Sequence, residues 1–328
     1  MAGPSGGGNA QSEAVGEKSI KGIDEKLVEI IKNEIMEHNP NVKWEDIAGL
    51  EYAKQTIQEM VIWPMQNPEL FQGLRASLKG LLLFGPPGTG KTMIGKCIAS
   101  QIDSTFFSIS ASSLTSKWIG EGEKLVRTLF AVARMHLPAV IFIDEIDSLL
   151  SKRTDDENEG SRRIKTEFLV QLDGATTSKE EQLLIIGATN RPQELDDAAR
   201  RRLAKRLYIP LPSDEGRGQL VRRLLKDEPN KLDDDDYAHI ISKSVGFSGA
   251  DLAILCGEAA REPVRTLMAE LRASGSFDPK QIKNIKKEAV PPLSLEHFSK
   301  AFVSVRPSVA QDDLKSYVAW NEQFGSKS

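Results

Sequence analysis

Residues 85–92 read Gly-Pro-Pro-Gly-Thr-Gly-Lys-Thr, and this octapeptide constrains the fold of the chain more than any other segment. It fits the pattern GxxxxGK[ST], follows the apolar run Leu81–Phe84 and precedes a helix predicted over Met93–Ser100. Glycines in such a loop let backbone N–H groups converge on an anion at the first turn of a helix. The sequence therefore predicts a phosphate-binding loop in which Lys91 reaches the β- and γ-phosphates of a nucleotide and the Thr92 hydroxyl holds Mg²⁺.

Short apolar runs alternate with helical segments from Trp44 to about Pro212. Each run is too short for an independent helix, and apolar strands separated by helices are typical of a parallel sheet buried on both faces. The predicted strands are Gly80–Phe84, Thr105–Ile109, Ala139–Ile143, Leu183–Ala188 and Arg206–Leu211. Beyond Ser213 the apolar periodicity is helical.

The same patterns divide the chain into five segments. We predict a flexible leader over 1–19, a linker helix over 20–43, a large α/β domain over 44–212, a helical lid domain over 213–304 and a C-terminal helix over 305–328. The leader is rich in Gly, Ser and Ala and lacks apolar periodicity, and Asn39-Pro40 is expected to end the linker helix. The leader carries no recognisable module, so we expect the chain to be a catalytic fragment.

Composition excludes several classes of protein. The 43 basic and 47 acidic residues give a net charge of −4, which disfavours a generally basic nucleic-acid binder. Cys97 and Cys256 lie far apart and the four histidines are scattered, so neither a disulfide framework nor a zinc site is expected. No apolar run is long enough to span a membrane. We expect an intracellular protein of the nucleus or cytoplasm, with no membrane insertion and no sequence-specific nucleic-acid contact.

Polar residues end two further predicted strands. Asp144 and Glu145 follow an apolar strand that should lie beside the strand of the phosphate loop. There Asp144 would orient the Mg²⁺ shell, and Glu145 would polarise a water for in-line attack on the γ-phosphate. Asn190 follows Leu183–Ala188 and is placed to hydrogen-bond the attacking water and the γ-phosphate, the alternative being an ordinary turn asparagine. Together the three sites predict hydrolysis of a nucleoside triphosphate.

With these motifs, the chain resembles the AAA ATPases over nearly all of Trp44–Phe324. The motifs that carry the resemblance are WEDIAGL at Trp44–Leu50, GPPGTGKT, IFIDEID, GATNRP and GFSGADL at Gly246–Leu252. The run Ser116–Lys124 and the ending Trp320–Phe324 are similar to the meiotic clade of katanin, spastin and the fidgetins, and most similar to the fidgetin-like ATPases. The resemblance implies an α/β fold with a parallel five-stranded sheet in the order 5-1-4-3-2 and a small helical lid.

The resemblance also implies which residues hold ATP and Mg²⁺. The adenine would lie along the segment that contains Asp46, Ala48 and Gly49, and the lid would approach the nucleotide through Gly249 and Ala250. The phosphates would be held by residues of the loop and the following helix, namely Gly88, Thr89, Gly90, Lys91, Thr92 and Met93. Thr92 and Asp144 would hold the metal.

Three regions are assigned roles outside the nucleotide pocket. The resemblance implies that Arg201 and Arg202 are arginine fingers facing a neighbour's γ-phosphate; Arg200 is an additional arginine, and the alternative is a solvated basic patch. Lys117, Trp118 and Ile119 would line a central pore that grips a polypeptide, the alternative being a partly buried loop tryptophan. Arg162, Arg163 and Lys165 form either a second, basic pore loop or an exposed helical face.

These features together predict a hexameric mechanoenzyme that hydrolyses ATP and threads a protein substrate to dismantle a complex. The resemblance offers two substrates: tubulin in microtubule severing and a recombinase filament on DNA. The alternative is a nucleotide-gated scaffold protein with slow hydrolysis. A nucleic-acid translocase is disfavoured by the mild acidity and by the aromatic residue of the expected pore.

Overall fold

A computed structural model of the chain describes residues 24–116, 121–152, 159–177, 181–273, 285 and 289–326. The predicted leader and the predicted pore residues Lys117, Trp118 and Ile119 lie outside the described residues. The strands are β1 (Met36–His38), β2 (Gly80–Phe84), β3 (Thr105–Ser110), β4 (Ala139–Asp144), β5 (Leu183–Thr189) and β6 (Lys205–Tyr208).

The helices surround this sheet and form the lid. They are α1 (Glu25–Ile30), α2 (Glu51–Ile57), α3 (Trp63–Gln66), α4 (Lys91–Gln101), α5 (Ala111–Ser116), α6 (Gly122–Met135), α7 (Asp147–Leu150), α8 (Glu159–Thr177), α9 (Asp197–Arg202), α10 (Asp214–Leu224), α11 (Asp234–Lys243), α12 (Gly249–Ala273), α13 (Leu295–Ser304) and α14 (Gln311–Phe324). Single π-helical turns extend α1 through Ile35 and α2 through Ile62. In the described part of the chain, no helix has the length and apolar character needed to cross a bilayer.

The sheet runs in the order β1-β3-β4-β5-β2-β6. Numbered 1 to 5 in chain order, the five parallel strands β2 to β6 keep the predicted order 5-1-4-3-2. The expectation that the strand ending in Asp144 lies beside the strand of the phosphate loop was wrong, because β5 lies between β4 and β2 and pairs with both. The prediction of five strands was nevertheless wrong, because β1 adds a sixth at the edge, antiparallel to β3. The apolar helical spacing ends at Ile35, and pairing with β3 then determines the conformation of the three residues that follow. The last strand ends at Tyr208 rather than at Leu211, since Pro210 has no N–H to donate to the ladder.

Alternating side chains of the strands fill two separate cores. On β2, Leu82 and Phe84 face a core with α1, α6, α8 and α14, whereas Leu81 and Leu83 face a core with α2 and α4. All four side chains are fully buried. Burial on both faces explains why the strands are continuous apolar runs.

The lid has its own core, formed by α10, α11, α12 and α13 around the buried Phe298. By contrast, α14 returns to the α/β domain, where the Trp320 ring packs edge-on against the Phe84 ring with 4.4 Å between centroids. Phe84 is the last residue of β2. The C-terminal helix therefore lies directly against the strand that carries the phosphate loop.

Candidate nucleotide site

The loop between β2 and α4 has the geometry of an anion site. Gly88 and Gly90 adopt left-handed conformations, with φ of +73° and +88°. A Cβ on Gly88 would lie 2.7 Å from the Ser248 hydroxyl oxygen and 2.8 Å from the Ala250 Cβ, so only glycine lets the lid approach this closely. The loop thus ends at the first turn of α4, where backbone N–H groups are available to phosphate.

Lys91 is buried at the start of α4. Its ammonium donates to the carbonyls of Gly85 at 2.9 Å and Pro86 at 2.7 Å, within the loop itself. Burial lowers the pKa of Lys91 to about 8, and the nearby Asp144 carboxylate acts in the opposite direction. The charge is held in a poorly solvated position, where it interacts more strongly with an anion than it would in water.

Thr92 and Asp144 bring two oxygen ligands together at the carboxyl end of β4. The Thr92 hydroxyl donates to Asp144 Oδ2 at 3.3 Å, and Asp144 Oδ1 accepts from the backbone N–H of Glu145 at 2.9 Å. A hydroxyl and a carboxylate are the hard ligands that Mg²⁺ takes alongside phosphate oxygens and water. Among the described residues no three His, Cys, Asp or Glu side chains cluster as a metal site. The donor set therefore fits a cation shared with bound phosphate.

Glu145 follows β4 with a left-handed backbone, φ +50°. This conformation is uncommon for a residue with a Cβ and occurs preferentially at functional sites. Its carboxylate accepts hydrogen bonds from the hydroxyls of Ser110 at 3.2 Å and Ser112 at 2.9 Å. The two serines were not predicted from the sequence, and they orient the carboxylate beside the cavity.

Asn190 comes directly after β5, at the same edge of the sheet. Its side-chain oxygen is buried and has no hydrogen-bond partner within the described part of the chain. Buried amide oxygens are seldom left unpaired, and each exception calls for an explanation. The position lines the cavity described next, so this acceptor is available to a ligand.

A cavity of about 660 Å³ joins these residues. Its wall includes most of the predicted nucleotide-binding residues, namely Asp46, Ala48, Gly88, Thr89, Gly90, Lys91, Thr92, Met93, Asp144, Asn190, Gly249 and Ala250. Gly49 and Glu145 are not among the wall residues: the Gly49 N–H donates to Gln219 Oε1 at 3.2 Å, and Glu145 directly follows the wall residue Asp144. The structure thus brings together five stretches of the chain that are far apart in sequence, at residues 46–48, 88–93, 144, 190 and 249–250.

Lid and core meet across this cavity through a few polar contacts. The Ala250 N–H donates to the Gly88 carbonyl at 3.1 Å. Arg223 of α10 pairs with the Asp46 carboxylate and donates to the Glu45 carbonyl at 2.7 Å. A hydrogen bond from the Lys43 backbone N–H and the pairing with Arg223 lower the pKa of Asp46. Sequence analysis missed Arg223, because no local pattern reports a contact between residues 177 positions apart.

The three consecutive arginines have three different environments. Arg200 pairs with Asp197 and lies 4.4 Å from the centroid of the Phe324 ring. Arg202 forms a bidentate pair with Asp173, at 2.5 and 2.6 Å. Within the described chain the exposed Arg201 forms no ion pair and is the free guanidinium.

These arginines lie at the opposite end of β2 from the phosphate loop. A Cβ on Gly80, the first residue of β2, would lie 2.5 Å from the Arg202 carbonyl oxygen. A strand of five residues is roughly 17 Å long. Arg201 and Arg202 are therefore separated from the cavity of their own chain by the length of the strand.

The predicted second basic loop proves to be helical. Arg162 and Arg163 are exposed on α8, as the alternative interpretation expected, and Arg163 pairs with Glu159. Lys165 is instead buried, with Nζ 2.9 Å from Asp196, which caps the helix of the arginines. Placing Lys165 in a basic pore loop was wrong, because this ion pair holds it against α9.

Comparison with known proteins now assigns the chain. Residues 81–211 match the ATPase family associated with various cellular activities, AAA, and residues 234–275 match the AAA+ lid domain. A crystal structure of the FIGL-1 AAA domain in complex with ADP is 51% identical, with TM-score 0.84, and covers 94% of this chain and 100% of that one. The chain belongs to the AAA ATPase family.

Two further relatives refine the placement of this AAA chain. Fidgetin-like protein 1 of Xenopus laevis is 57% identical over 98% of the chain, which spans only 47% of that relative. A structure described as the structural basis for katanin self-assembly is 35% identical, with TM-score 0.75, covering 92% of this chain and 99% of that one. Residues 279–325 also match the Vps4 C terminal oligomerisation domain. The predicted resemblance to the fidgetin-like ATPases is confirmed.

Proposed function

We propose that this AAA domain hydrolyses ATP in an oligomer in which each site is completed by a neighbouring copy. The observation that carries the proposal is the separation along β2. One end holds the phosphate loop, Asp144 and Asn190. The other end presents the exposed Arg201, which forms no ion pair with any residue that the structure describes. A guanidinium in that place has no phosphate to meet within its own chain, but it is available to a second one.

Each residue of the cavity has a role that follows from its geometry. Lys91 exchanges its two loop carbonyls for the β- and γ-phosphates. Glu145, oriented by Ser110 and Ser112, accepts a proton from the attacking water. The unpaired Asn190 oxygen accepts a hydrogen bond from the same water and thereby holds it in line with the γ-phosphate.

Thr92 and Asp144 would hold Mg²⁺ together with the nucleotide. The ion would supply positive charge beside the phosphates and would thereby offset the negative charge that develops during transfer. Hydrolysis is accordingly proposed to depend on magnesium. The ADP bound to the FIGL-1 AAA domain supports a nucleotide in this cavity.

The oligomer is proposed to be a homohexamer that pulls a protein substrate. The match of residues 279–325 to an oligomerisation domain and the similarity to katanin support assembly. Tubulin and a recombinase filament are the two candidate substrates, gripped by Lys117, Trp118 and Ile119 at the pore. Both candidates place the protein inside the cell, in the nucleus or cytoplasm.

The alternative function is a nucleotide-gated scaffold with slow hydrolysis. It is less well supported, because a scaffold needs neither the oriented Glu145 carboxylate nor an unpaired arginine. Measuring phosphate release per chain against protein concentration separates the two. We expect magnesium-dependent turnover that rises with concentration and is lost in Lys91→Ala; a slow rate that is independent of concentration would favour the scaffold.

A further inference from the structure

The backbone of Asn190 is held by a residue of the C-terminal helix. The Tyr317 hydroxyl of α14 donates to the Asn190 carbonyl at 2.6 Å, a contact between residues 127 positions apart. The distance is at the short end for O–H···O hydrogen bonds. The side-chain oxygen of the same Asn190 is buried and unpaired among the described residues, and Asn190 is one of the residues that line the nucleotide cavity. One residue is thus fixed through its backbone and left available through its side chain.

Tyr317 is itself held by a column of aromatic rings. Its ring stacks on Tyr208, with 6.3 Å between centroids and 21° between planes, and Tyr208 stacks on Phe84 at 5.5 Å. Trp320, one turn further along α14, packs edge-on against the Phe84 ring of this column. Burial raises the pKa of the Tyr317 phenol, so the hydroxyl remains a proton donor at neutral pH. The column fixes the donor relative to the strand that carries the phosphate loop.

The chain on either side of Asn190 is also constrained. The Thr189 hydroxyl accepts from the Arg191 backbone N–H at 2.8 Å and donates to Asp147 at 2.5 Å. These two contacts limit the turn that leaves β5, but neither reaches the Asn190 peptide carbonyl. The Tyr317 hydroxyl supplies that missing constraint.

We infer that Tyr317 is a positioning residue for hydrolysis: by holding the Asn190 carbonyl it aims the Asn190 amide at the attacking water. The inference rests on the proposed function and extends it. The C-terminal helix α14 lies within the segment that matches an oligomerisation domain. With Tyr317 in this role, the same helix is also part of the nucleotide site. A misaimed amide weakens alignment of the water in the transition state more than binding of ATP.

The test compares Tyr317→Phe with Tyr52→Phe at protein concentrations where turnover per chain has reached its plateau. Tyr52 is a matched control, since its hydroxyl also donates to a C-terminal carbonyl, that of Ser326 at 3.3 Å, away from Asn190. We expect Tyr317→Phe to lower kcat by roughly three- to ten-fold, the worth of one hydrogen bond, with KM for ATP within about two-fold. Tyr52→Phe should leave kcat, KM and the oligomer distribution at wild-type values.

A double-mutant cycle with Asn190→Ala shows whether Tyr317 acts through the amide. The loss from Tyr317→Phe should vanish in the Asn190→Ala background, because the group being aimed is gone. An equal fold-loss in both backgrounds overturns the inference. So does an unchanged kcat, or a loss that follows a fall in oligomer fraction or melting temperature and is therefore structural.

The same measurements separate failure of this inference from failure of the proposed function. Wild type and Glu145→Gln are assayed in parallel. If wild type shows no ATP turnover that depends on Glu145, the proposed function fails and the role of Tyr317 falls with it. If that turnover is present and Tyr317→Phe matches wild type, only the role of Tyr317 is overturned.

Discussion

The two ends of strand β2 carry opposite kinds of site. At its carboxyl end, the phosphate loop, Asp144 and Asn190 line a cavity in which the buried Lys91 offers a positive charge. The Asn190 side-chain oxygen there is an acceptor without a partner among the described residues. At its amino end, Arg201 is exposed and pairs with no carboxylate in the described ranges, whereas its neighbours Arg200 and Arg202 each have a partner. One end can bind a triphosphate, and the other can stabilise the charge of a triphosphate that belongs elsewhere.

In the proposed oligomer, each folded chain carries only part of each active site. Parallel strands place their carboxyl ends at one edge, so residues that follow the strands meet there in a single chain. Residues before the strands lie at the far edge, a strand length away. In the proposed function a second copy brings the two sets together, and hydrolysis then depends on assembly.

Among single substitutions at the two ends of β2, Arg201→Ala is expected to have the largest effect on ATP hydrolysis. Loss of an arginine that neutralises γ-phosphate charge in trans should lower kcat by about 10³-fold at saturating protein. Binding of ATP should change little, since Arg201 lies outside its own chain's cavity. Steady-state phosphate release and nucleotide titration measure the two quantities. Arg261→Ala in the lid, which removes an exposed arginine paired with Glu258, is the control and should match wild type.

Glu145→Gln alters the nucleotide site at the carboxyl end of β2. The amide keeps the size of the side chain but cannot accept a proton from water, so kcat should fall by at least about 10²-fold. ATP should still bind, because Lys91 and the loop are untouched. Retention of radiolabelled ATP after gel filtration checks the binding. Turnover near that of wild type would remove Glu145 from the role proposed for it.

The buried charge at Lys91 predicts a pH dependence of nucleotide affinity. The pKa of Lys91 is lowered to about 8 by burial, and bound phosphate should raise it, because phosphate favours the charged amine. Affinity should therefore be constant below about pH 8 and weaken by up to about ten-fold per pH unit above it. Titrations in the Glu145→Gln background avoid hydrolysis. Lys91→Met should bind weakly and lose this dependence; an unchanged slope in that variant would assign the dependence to another group.

The smallest effect is expected from Asp173→Asn, which tests whether the pair with Asp173 restrains Arg202 at the amino end of β2. Arg202 is held by the Asp173 carboxylate, which raises the pKa of the guanidinium, so reaching a neighbour means giving up this pair. A half-exposed pair is worth little, so its loss should raise kcat by about two- to five-fold at most. Glu167→Gln, which breaks the pair of α8 with Arg127, is the control and should give no increase. A decrease in Asp173→Asn would mean that Arg202 acts only while paired.

Local features of the site were predictable, whereas contacts between distant segments were not. The phosphate loop, Asp144, Glu145 and the five parallel strands are each read from a few consecutive residues whose spacing fixes their geometry. Strand β1 was missed, because Met36-Glu37-His38 extends only by pairing with β3. Arg223 contacts Asp46, 177 positions away, and Tyr317 contacts Asn190, 127 positions away. No local sequence pattern predicts contacts between residues so far apart in the chain.

The arginines illustrate the same limit within one short segment. Three identical residues in a row cannot be distinguished by sequence alone, since each carries the same charge. The structure separates them through partners on other elements, Phe324 for Arg200 and Asp173 for Arg202. It was the fold, through the placement of these partners, that left Arg201 as the exposed guanidinium.

The most direct test of the central claim is a mixing experiment with Lys91→Ala and Arg201→Ala. Each variant alone should be nearly inactive. Lys91→Ala chains do not bind nucleotide well, and Arg201→Ala chains bind it but receive no arginine from a neighbour. In mixed oligomers an Arg201→Ala chain keeps an intact cavity and can receive Arg201 from a Lys91→Ala neighbour. We predict that mixing at constant total protein restores phosphate release to a substantial fraction of the wild-type rate. Mixtures that never exceed the sum of the two separate variants, although the chains co-assemble, would contradict the claim that two copies share each site.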